Sequence, residues 1–92
     1  MTIDVRHEVE HQRFVAIVDG VEAVLDYEEG AGILRITHTV VPPAIGGRGI
    51  AGELVRAALD HARADSLKVI PDCSYAAAFI RRHTQYADLL AG

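Results

Sequence analysis

The sequence predicts a single α/β domain, α+β in character, over residues 1–92: an antiparallel β-meander, then a β-α-β crossover and a C-terminal helix. Three observations carry this expectation. Apolar residues alternate with polar ones as far as Val41, which is the period of a strand. From Gly49 to about Ala64 the apolar residues recur at helical spacing instead,. Between the two regimes lies a glycine-rich join, within the stretch from His38 to Ala51.

Residues 3 to 9 carry Ile3 and Val5 among polar neighbours and read as an edge strand; His7, Glu8, Glu10, His11 and Gln12 form a polar turn. Phe14, Ala16 and Val18 interleave with Arg13, Val15 and Ile17 in a strand buried on much of both faces. Asp19-Gly20 is a two-residue hairpin signal, because the tight turn needs left-handed backbone at both positions. Val21 to Tyr27 returns as a strand, and Glu28 to Gly32 reads as a loop. Ile33 to Val41 is a third strand, with Leu34, Ile36, His38 and Val40 expected on one face and Arg35, Thr37 and Thr39 on the other. Pro42-Pro43 stops it, since proline cannot donate to a ladder.

In the helix, Ile50, Leu54, Ala57, Ala58, His61 and Ala62 share the face expected to be buried. Leu67 to Ile70 is a short strand that should run parallel beside the strand 33–41, as a strand–helix–strand connection dictates. Ser74 is positioned to cap a second helix from about Tyr75 to Arg82, with Ala76, Phe79 and Ile80 inward,. The tail, with Tyr86, Leu89 and Leu90, reads as a helical turn packed back on the core.

Composition narrows the function. A net charge of −4 with no basic stripe argues against a nucleic-acid partner,. No apolar run approaches the ~20 residues of a membrane span, and the N-terminus has no basic and apolar leader pattern,, so a cytoplasmic, membrane-free protein is expected. The single cysteine excludes an intrachain disulfide and fits a reducing compartment. His7, His11, His61 and His83 lack metal-ligand spacing, and no metal is expected.

The join holds four glycines in the seven residues from Gly46 to Gly52, more than a turn needs. Glycines let a ligand approach the backbone. A helix start leaves N–H groups unpaired and favours negative charge. Strand, glycine turn and helix start together make a phosphate site. Gly47-Arg48-Gly49-Ile50-Ala51-Gly52 also matches the dinucleotide string G-x-G-x-x-G. Its place after a meander and two prolines argues against a doubly wound nucleotide domain. No Gly-Lys-Ser/Thr follows, which argues against an ATP-type loop.

The segment resembles the central motif of the GNAT superfamily of acyl-CoA-dependent N-acetyltransferases. Val41-Pro42-Pro43 matches the strand end, Gly47-Arg48-Gly49 the glycine core and Ile50-Ala51 the residues after it; Ala44 stands where the motif usually has Gln or Arg. Along nearly its whole length the chain is similar to the minimal single-domain branch of that superfamily. It shares His38-Thr39-x-Val41-Pro42, Gly49-Ile50-Ala51, Ala57-Ala58-Leu59, Pro71-x-Cys73-x-Tyr75 and Arg82-His83 with Tyr86, although Thr84 replaces the usual proline. The resemblance implies a GNAT-like fold, acetyl-CoA as cofactor and acetyl transfer to an amine on a small molecule or protein. It implies that main-chain groups of Thr39, Val40 and Val41 pair with the pantetheine arm, and that amides of Gly46, Gly47, Arg48, Gly49, Ile50 and Ala51 hold the pyrophosphate.

Cys73 stands where the second helix begins, a place that stabilises a thiolate. The resemblance sets it near the acetyl thioester, as nucleophile or as base for the amine; otherwise it is a buried small hydrophobe. The strand 33–41 offers no acidic base, so His38 is the second catalytic candidate, in a Cys-His pair,. Arg81-Arg82 neutralise a helix end or reach the cofactor phosphates; Tyr75 and Tyr86 are core, adenine contacts or proton donors. Two other readings stand beside the acetyltransferase: a CoA-binding regulatory module without turnover, and a dinucleotide- or phosphate-binding module. The acceptor and the oligomeric state are open.

Overall fold

The computed structural model describes residues 3–91; Met1, Thr2 and Gly92, the ends of the expected domain, lie outside them. Five strands form one mixed sheet in chain order: β1 (Val5–Glu8), β2 (Arg13–Val18), β3 (Val21–Gly30), β4 (Ile33–Val40) and β5 (Lys68–Pro71). The first four are antiparallel, and β5 joins β4 in parallel after the crossover helix α1 (Ile50–Ala64). Helix α2 (Ser74–Arg82) follows, then a 3₁₀ turn over Thr84–Leu89. The α+β class and the parallel placement of β5 beside β4 are as the sequence predicts.

The local geometry follows from a few residues. Asp19 and Gly20 both have positive φ (53° and 75°) and Val18 pairs with Val21, the left-handed two-residue turn that matches strand twist. The expected loop over Glu28–Gly32 is shorter than the sequence suggested. Strand β3 runs on to Gly30, and Ala31 and Gly32, at φ 54° and 77°, make a second turn of the same kind.

One irregularity rearranges the site. Asp26 pairs with His38 but Tyr27 pairs with Ile36, so Thr37 is an extra residue in β4. Such a bulge reverses the alternation beyond it. Leu34 and Ile36 face the core. His38 and Val40 do not share that face, as simple alternation predicts. Thr39 instead pairs with the fully buried Leu25, while His38 and Val40 are exposed on the outer face.

Helix α1 lies on the inner face of the sheet and buries Ile50, Leu54, Val55, Ala58, Leu59 and Ala62. Val55 and Leu59 are core residues the helical pattern did not single out, whereas Ala57 and His61 are only half-buried. Each such leucine contributes about 1.5–3 kcal/mol by leaving water. Helix α2 turns Ala76, Phe79 and Ile80 inward as expected, but its cap residue is Cys73, not Ser74. In the tail Tyr86 and Leu89 are buried; Leu90 is largely exposed and makes a parallel bridge with Val69 at the free edge of β5. No helix among the described residues is long and apolar enough to cross a membrane.

Candidate active site

The site begins where β4 and β5 part. Their pairing ends at Ile36 and Pro71, and the next contact between the two segments is the Cys73 N–H donating to the Ile36 carbonyl at 3.0 Å. Beyond that point the β5-side edge of β4, over Thr37–Val40, has no strand partner among the described residues. Pro42-Pro43 then carries the chain through a 3₁₀ turn, Pro43–Ile45, into the glycines.

Gly47 and Gly49 hold φ of +74° and +77°, and a Cβ on either would meet no atom within 4 Å. These glycines serve backbone conformation and open approach. Gly49 caps α1 without any side-chain bond. Among the described residues no backbone acceptor pairs with the N–H groups of Gly47 through Gly52. Gly46 differs from expectation: its N–H already donates to the Pro43 carbonyl at 3.1 Å. The guanidinium of Arg48 contacts Asp19 at 2.6 Å through one nitrogen, in an exposed ion pair.

A cleft of about 260 Å³ opens against this loop, lined by Val41, Gly46, Gly47, Gly49, Ile50, Ala51 and Tyr75. Six of these seven are residues the sequence reading assigned to the cofactor. Tyr75, left open there, forms the opposite wall from α2; its hydroxyl lies 3.4 Å from where a Cβ on Gly52 would stand. The unpaired amides, the positive end of α1 and the two left-handed glycines fit a pyrophosphate.

Cys73 is half-buried at the start of α2. Its thiol donates to Thr39 Oγ1 at 3.5 Å. Burial pushes the thiol up, but the Thr39 hydroxyl and the backbone N–H groups of Ala76, Tyr75 and Thr39 outweigh it, and the net position is below the ordinary thiol value. Thr39 was expected to act through its main chain alone; its side chain is the unforeseen partner. His38, by contrast, is carried to the other face of β4 by the bulge and pairs across the strand with Asp26. No hydrogen bond joins it to Cys73 among the described residues, so the expected Cys-His pair is not assembled.

Tyr86 belongs to the core: its hydroxyl donates to Asp60 at 3.1 Å and accepts from Arg56 at 3.4 Å. Arg81 and Arg82 are exposed in the last turn of α2. At the opposite end of the sheet, one atom each of Glu29, His61 and Asp65 lie within 4.8 Å of one another. The His61 ring nitrogens lie 3.0 Å from Glu29 and 3.8 Å from Asp65, and both carboxylates are exposed.

Comparison with known proteins agrees with the fold. The profile of the GCN5-related N-acetyl-transferase family matches residues 13–89. Protein NATD1 of Homo sapiens is 37% identical over 93 residues, covering 96% of this chain and 82% of that protein. Protein NATD1 of Gallus gallus is 37% identical over 84 residues, covering 88% and 76%. The solution structure of a GCN5-like protein from Staphylococcus aureus superposes with a TM-score of 0.76 at 27% identity, over 97% of this chain and 88% of that one.

Proposed function

The chain belongs to the GCN5-related N-acetyltransferase family, and from that premise we propose that it is an acetyl-CoA-dependent N-acetyltransferase acting on an amine through Cys73. The observation that carries the proposal is the adjacency of two features on α2. Tyr75 walls the glycine cleft, and two residues earlier Cys73 sits with its thiol held low by Thr39 and backbone amides.

In this reading the amides of Gly47 through Ala51 hold the pyrophosphate, and the unpaired end of β4 at Thr39 and Val40, with Val41 just beyond it, takes the pantetheine arm. Acetyl-CoA, the donor substrate, supplies an acetyl thioester. The Cys73 thiolate attacks the acetyl carbonyl; a C–S bond forms to Sγ as the bond to coenzyme A breaks, and the released CoA thiolate takes a proton. The acceptor amine then attacks acetyl-Cys73, forming the amide C–N bond. The bond from the acetyl carbon to Sγ breaks as that bond forms, and the amine's proton passes to the departing Cys73 thiolate, restoring the thiol. Thr39 steadies the negative sulfur at both stages, because its hydroxyl donates to a thiolate.

Intact mass after incubation with acetyl-CoA tests this. The wild type should gain one acetyl group that hydroxylamine removes, and Cys73→Ala should gain none. Transfer to amines by Cys73→Ala at the wild-type rate would overturn the covalent route in favour of direct attack. Coenzyme A binding with no acetyl transfer to any amine would favour a CoA-binding module.

A further inference from the structure

The cleft against the glycine loop has one polar side chain in its lining. Three of its seven residues are glycines, Val41, Ile50 and Ala51 are aliphatic, and only Tyr75 carries a side-chain oxygen. That hydroxyl is also unlike the other two tyrosine hydroxyls. Tyr27 is bonded through its hydroxyl to the His7 ring, and Tyr86 to Asp60 and Arg56. The Tyr75 hydroxyl makes no hydrogen bond among the described residues, and the residue is 43% exposed.

Helix α1 shows where that hydroxyl stands. Gly52 is the one glycine within α1. A Cβ on it would lie 3.4 Å from the Tyr75 hydroxyl and 3.5 Å from the Phe79 ring. A longer side chain there would take the hydroxyl's place. The hydroxyl is thus set over the first turn of α1, whose ladder starts only with the Glu53 N–H donating to the Gly49 carbonyl at 3.2 Å,. Cys73, two residues before Tyr75, faces a different element: its thiol is turned to Thr39 on β4. With amide donors on one wall and a free O–H on the other, the cleft suits an anion whose several oxygens accept from both.

We propose that Tyr75 is a ligand of the cofactor's pyrophosphate, its O–H donating to a phosphate oxygen from α2 while the α1 amides donate from the opposite wall. The assignment rests on the coenzyme A reading of the cleft. It gives the loop a side-chain donor that Ala44 cannot supply. It also separates Tyr75 from the sulfur chemistry, so Tyr75 is not the acid that protonates the departing CoA thiolate.

The test compares wild type with Tyr75→Phe, which keeps the ring and removes only the hydroxyl. Thermal unfolding without ligand should be the same in both, because no hydrogen bond is lost. Amide NMR then follows titrations with coenzyme A, dephospho-coenzyme A, inorganic pyrophosphate and pantetheine. Tyr75→Phe should raise Kd about tenfold for the first three, the scale of one hydrogen bond to a charged group. Pantetheine, which has no phosphate, should bind both forms alike. With acetyl-CoA saturating, kcat and its pH profile should stay within about twofold of wild type. Equal affinity of both forms for coenzyme A and pyrophosphate would overturn the assignment while leaving the coenzyme A reading intact. A loss seen with coenzyme A but not with pyrophosphate would move Tyr75 to the adenosine end and overturn it too. An unchanged Kd with a fall in kcat would restore Tyr75 as the acid. Pyrophosphate binding that depends on Tyr75, in a protein indifferent to coenzyme A, would keep the phosphate ligand and sink the coenzyme A reading. A wild type that responds to neither overturns both.

Discussion

At the scale of single residues, the proposed chemistry rests on Cys73 and Thr39. The thiol is held below its ordinary value against the opposing effect of burial, so its alkylation rate should level off at lower pH than that of a free thiol. Thr39→Val removes the hydroxyl and should move the midpoint of that pH profile upward. A profile identical to the wild type would deny Thr39 its role. His38 faces away from the thiol. His38→Ala should keep acetyl transfer within about threefold of wild type, whereas Cys73→Ala should cost at least about a hundredfold, as loss of a nucleophile does. Steady-state rates of the two variants decide this. Cys73 was legible from the sequence, because a lone cysteine at a helix start has a stated electrostatic meaning. The Thr39 side chain was not. One bulge residue, Thr37, exchanges the faces of everything after it, and nothing in a run of Thr-His-Thr-Val marks a bulge.

At the scale of elements, the turns separate what sequence can and cannot announce. Asp19-Gly20 signals its own geometry. Ala31-Gly32 adopts the same turn with an alanine where left-handed backbone costs an L-residue about 1–2 kcal/mol, and so the loop was expected to be longer. Ala31→Asn should raise stability by about 0.5–1 kcal/mol in denaturant unfolding, since asparagine tolerates that conformation. Gly49→Ala has room for its Cβ but not the φ, and should cost about 1–2 kcal/mol by the same measure. Ser74 was a reasonable cap by type. The chain gives that position to Cys73 because the strand continues through Pro71, with only Asp72 left before the cap.

For the molecule as a whole, the helices lie on one face of the sheet, and core and surface follow from that. Leu25 faces α1 and is fully buried, so Leu25→Ala should cost about 2–5 kcal/mol. Ile17, on the other face and 54% exposed, should tolerate Ile17→Thr within about 0.5 kcal/mol. Thermal unfolding of the pair distinguishes a one-sided core from a sandwich. His7 ties the edge strand in through Tyr27, 2.5 Å away. Burial first, and His61 second, hold its imidazole below its ordinary value of 6.5. The unfolded chain therefore binds that proton more readily than the folded one, and stability should fall as pH drops from about 6.5 toward the folded-state value. His7→Phe should flatten this slope. The meander, the crossover and the glycine helix start were legible because periodicity and glycine placement act locally. The Tyr75 wall was not, since it depends on how closely α2 approaches α1 at Gly52. The account turns on the glycine cleft, and a titration of the protein with coenzyme A, read at the amides of Gly47 through Gly52, tests it most directly. Those amides should shift first and furthest, and NAD or ATP at the same concentration should move them less. Unmoved amides, or a stronger response to NAD, would contradict the reading.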